Sequence, residues 1–210
     1  MKKNKASKNW FKKQKKDPFF AQSKIQGYRS RSAFKLIEMD RKFKFLNSNS
    51  LLLDLGCAPG GWSQVASQKI TKGKILAIDI KRMEKINNVN FVEGDFSSTY
   101  ITEKITKYFD KKIDVVVSDM AANTSGNKSL DSFKTGELCL KAMSLSTRIL
   151  SKNGISSVFP TVISEEEIQN FSSMSDGKYL NDSDMNEIDE LYTNWWEKNP
   201  YELKATVNTA

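Results

Sequence analysis

Short apolar runs alternate along this chain with stretches in which apolar residues recur every three or four positions. "LLLDL" (51–55), "KILAIDI" (74–80), "VNFVEGD" (89–95), "IDVVVSDM" (113–120) and "GISSVF" (154–159) are of the first kind and predict β-strands. Between them, "SRSAFKLIEMDRKFKFL" sets Phe34, Ile37, Met39, Phe43 and Leu46 at spacings that mostly fit one helical face, with Ser30 or Ser32 available as a cap. "WSQVASQKI" has helical periodicity, and "SFKTGELCLKAMSLSTRILSKNG" predicts an amphipathic helix stopped at Asn153-Gly154. Strands that are apolar throughout and alternate with helices call for a mostly parallel sheet covered by helices on both faces, an α/β fold of Rossmann-like type. Ligands of such sheets bind beyond the carboxyl ends of the strands, where Gly56, Asp79, Asp95 and Asp119 would sit.

The loop after the first strand narrows the ligand. In "LLLDLGCAPGGWSQVAS" the side chains nearly vanish between Gly56 and Gly61, so the backbone can approach a ligand closely. Asp79, at the end of the second strand, can accept hydrogen bonds from ribose hydroxyls. A nucleoside cofactor is implied. The loop lacks the GxGxxG spacing of dinucleotide sites and carries Pro59 in its middle, which disfavours a nicotinamide-dependent oxidoreductase. Asp54, just before the loop, would repel phosphate and suit a cation. S-adenosylmethionine has no phosphate and carries an ammonium and a sulfonium, so it fits this loop better.

Charge divides the 210 residues into three parts. Residues 1–16 hold eight lysines and no acid, residues 17–159 hold 22 basic and 14 acidic residues, and residues 160–210 hold 3 against 11. A lysine arm with Trp10 and Phe11 and a basic body are the electrostatic footprint of a protein that sits on phosphates. Tyr28, Arg29, Arg31 and Lys35 add phosphate-binding and stacking groups ahead of the first strand. The domain organisation expected is a flexible basic arm over 1–23, one domain over 24–159 and an acidic tail over 160–210. No stretch approaches the roughly 20 apolar residues of a membrane span, and the first residues lack the apolar block of a secretory signal, so a cytoplasmic protein is expected. Two cysteines, Cys57 and Cys139, in no ligand-like spacing give a zinc site or a disulfide framework little support, and no metal is expected. Cys57 reads as a small buried filler and Trp195-Trp196 as core or interface. With no histidine in the chain, any proton must be moved by Lys, Asp, Glu, Tyr or Cys.

Taken together, "RSRSAFKLIEMD", "LLLDLGCAPGGWSQVAS", "ILAIDI", "VEGDF" and "DVVVSDMAANTSG" resemble the FtsJ/RrmJ family of S-adenosylmethionine-dependent ribose 2'-O-methyltransferases, which act on large-subunit ribosomal RNA. The resemblance covers about residues 24–154, in the family's order. It implies that Gly60 and Trp62 bind the cofactor in the PGGW loop, that Asp79 contacts its ribose and Asp95 lies near the adenine, and that Asp119 stands beside the reactive methyl. Lys35 matches the first lysine of a catalytic Lys-Asp-Lys-Glu set in which Asp119 is the acid. The implied reaction is methylation of a uridine 2'-hydroxyl in 23S ribosomal RNA, as free RNA or within the large subunit, by a protein expected to be monomeric.

Past the fifth strand the chain departs from the family's phrase "FVxKxFxG". Aligning on Val158-Phe159 places Ser157 where the second lysine stands, and neither that lysine nor the family's Glu is found in "PTVISEEEIQNF" or in the residues after it. Three origins are open for the tail: a divergent unit packing back on the sheet, an acidic appendage that folds against the basic arm, or a coding change that replaced the last strands; the last two together are favoured. The alternative function from another class is a catalytically impaired RNA-binding protein that retains the cofactor fold.

Overall fold

A computed structural model describes residues 18–121, 125 and 128–158. Helices α1 (Pro18–Ile25) and α2 (Ala33–Phe43) lead into β1 (Leu51–Leu55), followed by α3 (Gly61–Lys69), β2 (Lys74–Asp79), β3 (Val89–Glu93), α4 (Thr99–Phe109), β4 (Ile113–Ser118), α5 (Lys128–Ile149) and β5 (Leu150–Val158). α1 lies inside the stretch assigned to the arm, and its Phe19 is buried.

The five strands lie in the order β3-β2-β1-β4-β5, and every neighbouring pair is parallel. All five residues of "LLLDL" are buried because β1 is central and both of its faces are covered. On one face, Leu52, Ile75, Val115 and Val117 pack against Leu36 and Met39 of α2 and Trp62, Val65 and Ala66 of α3. On the other, Leu51, Leu53, Leu55 and Val116 meet Ile101, Ile105 and Phe109 of α4 and Ala142 and Leu145 of α5. Period-two alternation on β1 therefore sends Asp54 to the α2–α3 face with Leu52.

Helix ends follow local chemistry. Ser98 caps α4 by accepting from the Ile101 N–H, whereas Ser32 makes no side-chain cap on α2. Its hydroxyl lies 2.8 Å from that of Ser30 instead. α5 stops at Ile149, short of Asn153-Gly154; those two residues fall within β5, where the ladder to β4 shifts register between Ile113 and Val115. A Cβ on Gly154 would come 3.1 Å from the Ile113 carbonyl, so the glycine serves that close strand approach rather than a helix stop.

β2 and β3 lie on one side of β1, and β4 and β5 on the other. The strand order reverses between β1 and β4, so the connections after these two strands leave in opposite directions and open a crevice.

Candidate active site

That crevice is a cavity of about 150 Å³ lined by Ser32, Asp54, Gly56, Cys57, Ala58, Pro59, Trp62 and Asp119. Its floor is the turn from β1 into α3. Gly56 (φ 72°) must be glycine, because a Cβ there would sit 2.0 Å from Cγ of Met120. Gly60, with φ 108°, is the residue that precedes α3, and its missing side chain leaves room for Met83 and Ile86.

Three carboxylates end neighbouring strands around this turn. The Asp79 carboxylate accepts from the Ala58 N–H at 2.8 Å and from the Lys81 N–H at 2.7 Å, so it braces the glycine-rich loop against β2. Asp119 accepts from Nζ of Lys35 at 3.2 Å. Lys35 is 8% exposed and Asp119 23%, which makes the contact a largely dehydrated ion pair at the mouth of the crevice. Asp54 is 1% exposed and accepts a 2.6 Å bond from the Ser63 hydroxyl. Burial pushes its carboxyl up to about 7, and the nearby charges of Asp119 and Asp79 push the same way against the Ser63 hydrogen bonds.

The residues singled out in the sequence are therefore brought together unequally. Asp119 and Trp62 line the cavity, Lys35 is bonded to Asp119, and Gly60 and Asp79 shape the loop. Trp62 is 3% exposed, and its ring belongs to the core while its Nε1–H donates to the Ser32 carbonyl at 2.7 Å. It ties the start of α3 to the turn before α2. Asp95 stands apart: it is exposed beyond β3, accepts from both the N–H and the hydroxyl of Ser97 at 2.8 Å, and does not line the cavity.

Arg29, a candidate phosphate contact, is bonded within the protein. Its guanidinium donates to the carbonyls of Pro59, Glu84 and Lys85, at 3.4, 2.7 and 2.8 Å, and so clasps the glycine-rich loop to the segment after β2. Tyr28 is half-buried and edge-on to Phe34, with ring centroids 5.6 Å apart. Arg31 is exposed. Cys57 is buried among Ala77, Met83 and Ile86, and burial raises its thiol far out of the reactive range, as a filler requires. Clasps made to carbonyl oxygens, like those of Arg29 and Trp62, leave no pattern in the sequence. Asp54 did leave one, as the single charge in an otherwise apolar strand.

On the far side of β4, Ser157 pairs with Val117 in the parallel ladder, one pleat before Asp119 and on its face. Its hydroxyl is buried and has no hydrogen-bond partner among the described residues, as is also true of Ser118 and Ser156. Among the described residues there is no group of acids and cysteines able to hold a metal ion, and no helix is long and apolar enough to cross a membrane.

A doubly wound sheet whose glycine-rich first turn carries acids and no cation is the architecture of a methyltransferase, and the comparisons with known proteins agree. The model of the FtsJ-like methyltransferase family matches residues 28–180, and the chain belongs to that family. It is 48% identical over 161 residues to the ribosomal RNA large subunit methyltransferase E of Pelagibacter ubique, covering 76% of this chain and 79% of that protein. Its identity to the Rickettsia akari protein of the same name is 42% over 155 residues, covering 71% and 68%. Among solved structures, a ribosomal RNA methyltransferase from Plasmodium falciparum superposes with a TM-score of 0.64 at 35% identity, covering 70% of this chain and 84% of that one. The family match runs past residue 158 into the segment outside the described residues, where the tail, Trp195 and Trp196 also lie.

Proposed function

We propose that this protein methylates a ribose 2'-hydroxyl of a uridine in 23S ribosomal RNA, using S-adenosylmethionine. The observation that carries the reading is the Lys35–Asp119 pair, 3.2 Å apart and largely dehydrated, beside a cavity whose described lining holds acids and no cationic side chain. Such a lining repels a pyrophosphate and suits the ammonium and sulfonium of a donor that carries net positive charge. The cavity takes that end of the donor, and the nucleoside end is assigned to Asp79 and Asp95.

When bound, the sulfonium supplies an already activated methyl group. The protein's work is then to align and to manage charge. Gly56 and Gly60 let the backbone close on the donor, and Asp79 and Arg29 hold that backbone in place. Alignment of a hydroxyl oxygen with the methyl carbon supplies several kcal/mol of the barrier through prepaid orientation. Asp119 holds the ammonium of Lys35 beside the cavity, where a cation would favour the alkoxide as the hydroxyl proton passes to solvent water. The relatives' names support ribosomal RNA of the large subunit as the substrate. A cytoplasmic monomer is the state in which we expect it to act.

The test is transfer of a labelled methyl group to 23S ribosomal RNA that lacks the modification, as free RNA and as large subunits. Labelled 2'-O-methyluridine is the expected product. Donor binding with no transfer to either substrate would instead identify an RNA-binding protein that keeps the cofactor fold.

A further inference from the structure

Asp54 neither closes the loop on the donor nor orients Lys35, yet it is the most deeply buried charge-bearing group of the cavity. Among the described residues, its neighbours are acidic or neutral. From α3, Ser63 donates its hydroxyl and its N–H; from β2 and β4 come Asp79 and Asp119; from the loop comes Cys57, whose thiol burial keeps protonated. Lys35 of α2, the cation at the cavity mouth, is committed to Asp119. A carboxyl in these surroundings gains by keeping its proton until a positive charge arrives.

We propose that Asp54 is the positioning residue for the ammonium group of the methyl donor, and that it releases its proton to solvent when the donor enters the cavity. This rests on the proposed function. Ionised, Asp54 makes the turn before α3 a cation site; protonated, it leaves the apo protein free of an unpaired buried charge. Selectivity follows, since a nucleotide brings negative charge and cannot draw the proton off.

Calorimetry of S-adenosylmethionine binding in buffers of different ionisation enthalpy reads the proton directly. Between pH 5.5 and 6.5 the donor's own α-amino group, with an ordinary value of about 7.7 to 8.0, is fully protonated and contributes nothing. The intact protein is expected to release most of a proton per donor bound at pH 6 and close to none at pH 8.5 from this carboxyl, with affinity falling several-fold from pH 6.5 to 5.5. Asp54→Asn should bind donor with no release at pH 6. Because that substitution could weaken the packing of α3, Ser63→Ala provides a second reading: it removes a hydrogen bond that favours the carboxylate, so the midpoint of release should move to higher pH. Donor binding without proton release at pH 6, or a Ser63→Ala midpoint that stays in place or moves down, overturns the inference and leaves the proposed function standing. No donor binding at any pH overturns both.

Discussion

Asp119 and Lys35 are 84 positions apart in the chain, and the pair exists because β4 ends beside the first turns of α2. Asp119 holds the Lys35 ammonium at 3.2 Å. Lys35→Ala and Asp119→Ala are each expected to lower kcat by at least about a hundredfold with the fold retained, since each removes charge stabilisation at the reacting oxygen. Single-turnover methyl transfer with circular dichroism as the folding control checks this, and unchanged turnover would remove the assignment. Asp54 bears on stability as well as on binding. Its folded-state value, about 7, lies above that of an unfolded aspartate, so the native state holds the proton longer. This contribution is fully present below about pH 4 and is lost as pH rises to 7. Thermal melts of the donor-free protein should therefore show the intact chain losing stability relative to Asp54→Asn across pH 4 to 7 and no further above it.

At the scale of elements, the turn from β1 into α3 is held by contacts that a single Cβ would break. Gly61 is the sharpest case after Gly56, because a Cβ there would lie 2.0 Å from the Ser30 hydroxyl, against the turn that carries the Ser32 carbonyl to Trp62. Gly61→Ala should move α3 away from α2, weaken donor binding at least tenfold and lower the melting temperature, with a cost of about 1 to 3 kcal/mol. β5 raises a different question. Ser157 sits on the Lys35–Asp119 face one pleat below Asp119, and its unpartnered hydroxyl gains nothing from that position. A lysine stem at 157 runs along the same face toward Asp119. If the position once held the second lysine of the family's set, Ser157→Lys should raise methyl transfer several-fold at pH 8 to 9, and an activity equal to that of the parent would place the proton acceptor elsewhere.

Across the whole molecule, charge and fold act on different substrates. The proposed donor site is at the switch point of the sheet, whereas the surplus of lysine and arginine in residues 1–159 is expected to act on a polyanion. The lysines of residues 1–16 are numerous enough to be read by salt. Deleting them should lower the slope of log affinity for ribosomal RNA against log salt by at least about 3 while leaving donor affinity unchanged; an unaltered slope would make the arm a bystander. The two readouts separate because the described lining of the donor cavity is drawn from the ends of β1 and β4 and the segments beside them, whereas the salt slope counts phosphate contacts.

The amino-acid sequence by itself determined the parallel sheet, the donor loop and the family, because each depends on local pattern: strands buried on both faces read as unbroken apolar runs, and a backbone that must pass close to a ligand reads as glycine. It also marked Asp54, a charge no strand interior accepts without a reason. Only the tertiary structure decided that Lys35 faces Asp119, that Arg29 clasps carbonyls, that Asp95 stands apart from the cavity and that α5 ends before Asn153-Gly154. Those facts depend on which groups the packed helices and loops bring within about 3 Å of one another, and carbonyl partners are available at every residue, so no spacing along the chain could have selected them.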